Sequence, residues 1–147
     1  MPSIWNDEDR RELVRRAWTL TPNHTAKWGR FSVAAMLAHL NDAARMATGD
    51  LSVTGKAPSF LKWPPVRYLF IHALPMPKSA PTAPELLARS SAADLAQEQQ
   101  TFQSLFDALP RRDVLAPSHP AFGTMTRSDW GVLIHKHTDH HLRQFGV

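Results

Sequence analysis

At 147 residues the chain has the length of one domain with an ordinary hydrophobic core, and a single domain over residues 1–147 is expected. Hydrophobic residues make up 43% and charged residues 20%, the balance of a globular protein. Cysteine is absent, which excludes disulfides and thiolate ligands, so any metal must sit on His, Asp or Glu.

The formal charge is +4, yet the bases are interleaved with acids: Arg10, Arg11, Arg15 and Arg16 alternate with Asp9 and Glu12, and Arg111-Arg112 precedes Asp113. That pattern reads as a solvated helix face and a loop, and no nucleic-acid partner is expected. No apolar run approaches the roughly 18 residues of a membrane span, and no basic segment followed by an apolar one opens the chain. A cytoplasmic protein without a membrane partner is the expectation.

Asn6 or Asp7 can cap a first helix reaching about Trp18, with acids in its first turn and arginines later. Leu13, Val14, Ala17 and Trp18 fall at helical spacing, and Thr21-Pro22-Asn23 ends the pattern. After the loop Lys27–Phe31, Ser32 is a good cap for a second helix to about Thr48, closed by Gly49-Asp50. Seven of the twelve prolines lie between Pro58 and Pro84, which forbids a long helix there. Within that stretch Val66–Leu74 is compatible with a short helix or a strand.

A third long helix is expected from near Ser91, with Asp94 as the carboxylate of a capping box, to Leu109 before Pro110. Arg111–Met125 reads as loop. Thr126 with Asp129 caps a fourth helix to about Phe145, followed by Gly146. Nothing in this pattern points to a sheet. The fold class expected is all-α: a four-helix bundle in up-down-down-up order, with the long proline-rich crossover joining helices two and three.

Five of the eight histidines fall in the last thirty residues: His119, His135, His137, His140 and His141. With ~3.6 residues per turn, Trp130, Leu133, Ile134, His137, His141, Gln144 and Phe145 share one face of the last helix. On the second helix His39 lies within the apolar arc of Val33, Met36, Leu37, Leu40, Ala43 and Ala47. In antiparallel helices the two groups stand at the same level, so three imidazoles can meet. Each buried ring nitrogen without a partner costs about 1–3 kcal/mol, and one divalent ion satisfies all three. The i, i+4 pair is the spacing of helical zinc sites, and three protein ligands leave a position open for water or substrate.

Other histidines divide by position. His140 stands on the edge of the same face and could replace either ligand of the last helix; the reading favoured is an orienting or proton-transfer role, shared as a candidate with Gln144 and His119. His119, in His119-Pro-Ala-Phe-Gly123, is either part of a plain turn or lines the mouth of the site as a substrate contact or fourth ligand. His135 reads as solvent-exposed. His24 and His72 have no companion at useful spacing, and the methionines and tryptophans read as core.

Met36-Leu-Ala-His-Leu40 together with His137-x-x-x-His141-Leu-Arg-Gln144 resembles the DinB/YfiT-like superfamily of metalloenzymes. The fuller pattern Trp28-Gly29, His119-Pro-x-Phe-Gly123, Trp130 and Lys136-His-x-Asp-His-His-Leu-Arg-Gln-Phe-Gly146 is similar to an uncharacterised branch of it. The resemblance implies an up-down-down-up bundle, often a homodimer, with Zn or Ni on His39, His137 and His141. It also implies a small-molecule substrate and a low-molecular-weight thiol as co-substrate, since characterised relatives include thiol-dependent transferases and isomerases. In their common ending arginine directly follows the last histidine. Here Leu142 intervenes, and Arg143 is turned by about 100° around the helix. Two functions are carried forward: a metal-dependent transferase or hydrolase, and a non-catalytic, metal-stabilised, homodimerising bundle.

Overall fold

The computed structural model describes residues 1–147. It is mostly helical: α1 (Asp7–Thr19), α2 (Val33–Thr48), α3 (Pro64–Tyr68), α4 (Leu95–Ala108) and α5 (Arg127–Gln144). The helix ends follow from their caps. The Asn6 side chain accepts from the amides of Glu8 and Asp9, and Ser32 accepts from Ala35. Gly49 leaves α2 at φ 81°, a left-handed conformation that spares it a Cβ clash. At α5 Thr126 and Asp129 exchange hydrogen bonds in a reciprocal capping box.

Three expectations need correction. Asp94 is the N-cap of α4, accepting from Gln97, so that helix starts at Leu95, and Ser90–Ala92 forms a separate 3-10 turn. The stretch between α4 and α5 is not all loop and the chain is not wholly helical. Ser118–His119 (β1) pairs antiparallel with Gly123–Thr124 (β2). Two-residue strands carry no periodicity, so pattern reading passes over them. Finally, not every tryptophan is core: Trp130 is buried, whereas Trp63 is 62% and Trp18 46% exposed. The Trp18 ring donates to Gln103 from the surface.

The four long helices pack so that α1 and α2 each touch both α4 and α5. Between them lie Leu13, Met36, Leu37, Leu40, Phe102, Phe106, Trp130 and Leu142, all buried. Burying each of the larger side chains contributes on the order of 2–3 kcal/mol. Phe102 and Phe106, one turn apart, stack at 4.0 Å between ring centroids. No helix is long and apolar enough to cross a membrane.

The crossover wraps one side of α5. Pro64 and Pro65 open α3, where missing amide protons are harmless, and a π turn, Leu69–Ala73, continues it. The Lys136 ammonium donates to the carbonyls of Phe70 and Ile71 at the end of that turn, where the helix dipole favours a cation. His72 Nε2 lies 2.8 Å from Asp129 Oδ1. His72 therefore does have a companion, 57 residues away. These ties carry the proline-rich segments on either side of α3 over the inner face of α5.

Candidate metal centre

His39 projects from α2, and His137 and His141 from successive turns of α5. His39 is 3% and His141 9% exposed, and His137 is partly buried. Ring centroids lie 4.9 Å apart for His39–His137, 5.0 Å for His39–His141 and 4.7 Å for His137–His141. One nitrogen from each ring lies within 4.8 Å of the other two, a grouping able to hold a metal ion.

The hydrogen bonds determine which nitrogens face inward with a lone pair. His39 Nδ1 lies 3.3 Å from the Leu86 carbonyl, which can only accept, so Nδ1 carries the proton and Nε2 is free. Gln144 Nε2 donates to the Trp28 carbonyl at 2.6 Å, which turns its Oε1 toward His141. His141 Nδ1 donates to that oxygen at 2.7 Å, leaving its Nε2 unprotonated as well. Each of these is the outer hydrogen bond that metal-ligating imidazoles ordinarily make. His39 Nε2 and His137 Nε2 lie 3.0 Å apart. Two ligands of a tetrahedral ion with bonds of ~2.05 Å stand roughly 3.3 Å apart, close to the spacing of this pair.

Gln144 is therefore a positioning residue for His141. Gln144→Ala is expected to weaken zinc binding about 10- to 100-fold, read by competition with a chromophoric chelator. Gly29, at φ 76°, is required for the same contact, since a Cβ there would lie 2.7 Å from Gln144 Nε2. Gly29→Ala should shift affinity in the same direction. Unchanged affinity in both variants would refute this coupling.

The histidines stand in the wall of a cavity of about 570 Å³. Phe31, Met46, Phe70, Phe122, Leu133 and Ile134 supply apolar lining, and His119 and His140 also face it. Phe31 stacks on His39 at 5.3 Å and meets His141 edge-on at 5.7 Å. His140 lies beside Trp28 at 5.4 Å and beside His141 at 5.2 Å, outside the three-histidine group. His135 is half-buried rather than exposed. Arg143 is held by Asp139 at 2.9 Å, does not line the cavity and is 72% exposed, as its displaced position on the helix requires.

His119 takes a defined tautomer. The Ala121 amide donates to His119 Nδ1 at 3.0 Å, so the ring proton sits on Nε2. In this tautomer Nε2 is offered as a hydrogen-bond donor, and His119 stands outside the three-histidine group. Phe31 and the Leu86 carbonyl escaped the sequence reading. A main-chain acceptor carries no signal in residue type, and Phe31 has none beyond its place next to the Trp28-Gly29 loop.

Burial holds His119 down to about 4, and burial with the nearby His39 does the same to His141. Burial also lowers His39 and His137. Between the ordinary value of 6.5 and about 4 the unfolded chain binds the more protons. The part of the metal-free protein's stability tied to these rings is therefore fully present above pH ~6.5 and falls as pH drops toward 4. His119→Gln should remove on the order of 3 kcal/mol of that loss, measured by chemical denaturation from pH 7 to 4. An unaltered pH slope in the variant would contradict the assignment.

A family model described as the DinB superfamily matches residues 7–145. The chain belongs to the DinB superfamily. The match spans all the helices that carry the site, and the three-histidine group able to hold a metal ion lies within it. No curated protein and no solved structure matches the chain.

Proposed function

We propose that this DinB-superfamily chain is a metal-dependent enzyme acting on a small molecule. Its four long helices form an up-down-down-up bundle, and His39, His137 and His141 hold one divalent ion, Zn or Ni. The observation that carries the reading is the pair of outward-anchored imidazoles, His39 and His141, whose free Nε2 atoms meet His137 at the wall of an open cavity. When bound, such an ion supplies Lewis-acid activation of a nucleophile, either water or a low-molecular-weight thiol.

The chain's own residues account for the remaining functions. Gln144 fixes the His141 ring. His119 offers an Nε2–H to an acceptor atom of the substrate, and His140, beside the ligands and partly exposed to the cavity, takes the proton released by the nucleophile. The aromatic lining excludes water from the reacting atoms. A purely structural ion has no use for an adjoining cavity, which favours an enzyme over a metal-stabilised homodimerising bundle. Thiol transfer and hydrolysis share this arrangement; the thiol route, and a homodimeric state, rest on the family resemblance.

The test is turnover by zinc- and nickel-loaded protein of an aryl halide with glutathione, and of an aryl ester with water. Turnover in either assay that is lost with chelator and in His137→Ala is expected. Turnover insensitive to both would reject the mechanism.

A further inference from the structure

The cavity carries a charge pattern that an apolar lining does not require. Arg30, Lys56 and Lys78 line it, all three solvent-exposed, and no Asp or Glu does. Of the other fourteen Lys and Arg residues, eight, all arginines, lie against carboxylates. Arg30, Lys56 and Lys78 have no such partner. The one acid between residues 51 and 93, Glu85, is turned to Thr54, whose amide and hydroxyl both donate to its Oε1. Three unpaired cations around one opening raise the local concentration of anions.

Two further contacts bear on the same edge. The Lys78 ammonium sits 4.7 Å from the centre of the Trp28 ring, which holds this charge at the opening. Trp28 also lines the cavity, and its indole Nε1–H is buried without an acceptor. Buried donors are normally paired, so a ligand bringing acceptor oxygens to this edge would satisfy it.

We propose that the cavity takes an apolar small molecule bearing one carboxylate, its hydrocarbon body against Phe31, Phe70 and Phe122 and its anion at Lys56, Lys78 and Trp28. This rests on the cavity being the substrate site, yet it places the anion on the rim and not on the metal. The reacting group of the molecule would then lie at the inner end, near His119 and the three ligands.

The probes are 4-phenylbutyrate, 4-phenylbutanol and 4-phenylbutylamine, titrated calorimetrically into zinc-loaded wild type, Lys56→Gln/Lys78→Gln and His137→Ala. The wild type should prefer the carboxylate over the alcohol by about five- to tenfold, with the amine weakest. The double lysine variant should lose that preference while keeping its zinc stoichiometry, and His137→Ala should keep the preference. Equal binding of the three probes, or no binding at millimolar concentration, would overturn the proposal. A preference that survives in the lysine variant and disappears in His137→Ala would overturn it too, by placing the anion on the metal. Failure of the wild type to take up stoichiometric zinc, with the carboxylate preference intact, would reject the metal reading alone and support the rim.

Discussion

Replacing His137 by alanine is expected to lower zinc affinity by on the order of a hundredfold or more. Structural zinc sites with four ligands bind with about 10–16 kcal/mol, so one ligand is worth roughly 3 kcal/mol, and ~1.4 kcal/mol is a factor of ten. The His137 ring is well placed for such a loss, with its Nε2 3.0 Å from that of His39. His135→Ala, on the same helix but outside the three-histidine group, is the control and should bind zinc like the wild type. Chelator competition combined with elemental analysis reads both. Wild-type affinity in His137→Ala would remove this residue from the ligand set.

Arg89→Ala is expected to destabilise the fold by about 2–4 kcal/mol. The Arg89 guanidinium spans Asp42 on α2 and Glu98 on α4, with Nε 3.1 Å from Asp42 Oδ2 and Nη1 2.6 Å from Glu98 Oε1. Both acids have side chains only 6–7% exposed. Asn41 donates to Glu98 at 2.7 Å and Arg45 to Asp42 at 2.8 Å, so each carboxylate keeps one partner in the variant. That remaining pairing, and the 39% exposure of Arg89 itself, hold the cost below that of a wholly stranded charge. Arg89 also donates to the Ala38 carbonyl, next to His39, so zinc affinity should fall a few-fold with stability. Arg89→Lys, which keeps the charge but not the fork, should lie between. Urea denaturation would measure this series, and a change under 0.5 kcal/mol in Arg89→Ala would contradict the assigned role.

What could be read from the chain alone was mostly what local chemistry dictates. Ser32 and Gly49 bracket α2 because one side-chain oxygen and one missing Cβ determine its ends. The Thr126–Asp129 box does the same for α5, and helical period then brings His137, His141 and Gln144 to one face. The misplaced start of α4 came from assigning Asp94 to the third position of a capping box when it is the cap itself. Long-range pairs were out of reach. His72 with Asp129, and Arg89 with Asp42, are 57 and 47 residues apart and depend on how the crossover folds back. Exposure was misjudged where apolar type stood in for burial: Trp18 and Trp63 face solvent, as do Phe60, Tyr68 and Leu69 of the crossover.

Gln144 shows the boundary between the two kinds of inference. Its place on the histidine face follows from the helix period, but its hold on His141 depends on the Trp28 carbonyl that orients the amide. Only the folded loop before α2 supplies that carbonyl.

X-ray absorption at the zinc edge of the stoichiometrically loaded protein tests the central claim most directly. Three imidazole nitrogens at ~2.0–2.1 Å, with the outer-shell scattering of histidine rings, are predicted, falling to two in His39→Ala. A first shell of water and carboxylate oxygens, or an imidazole count unmoved by that substitution, would contradict it.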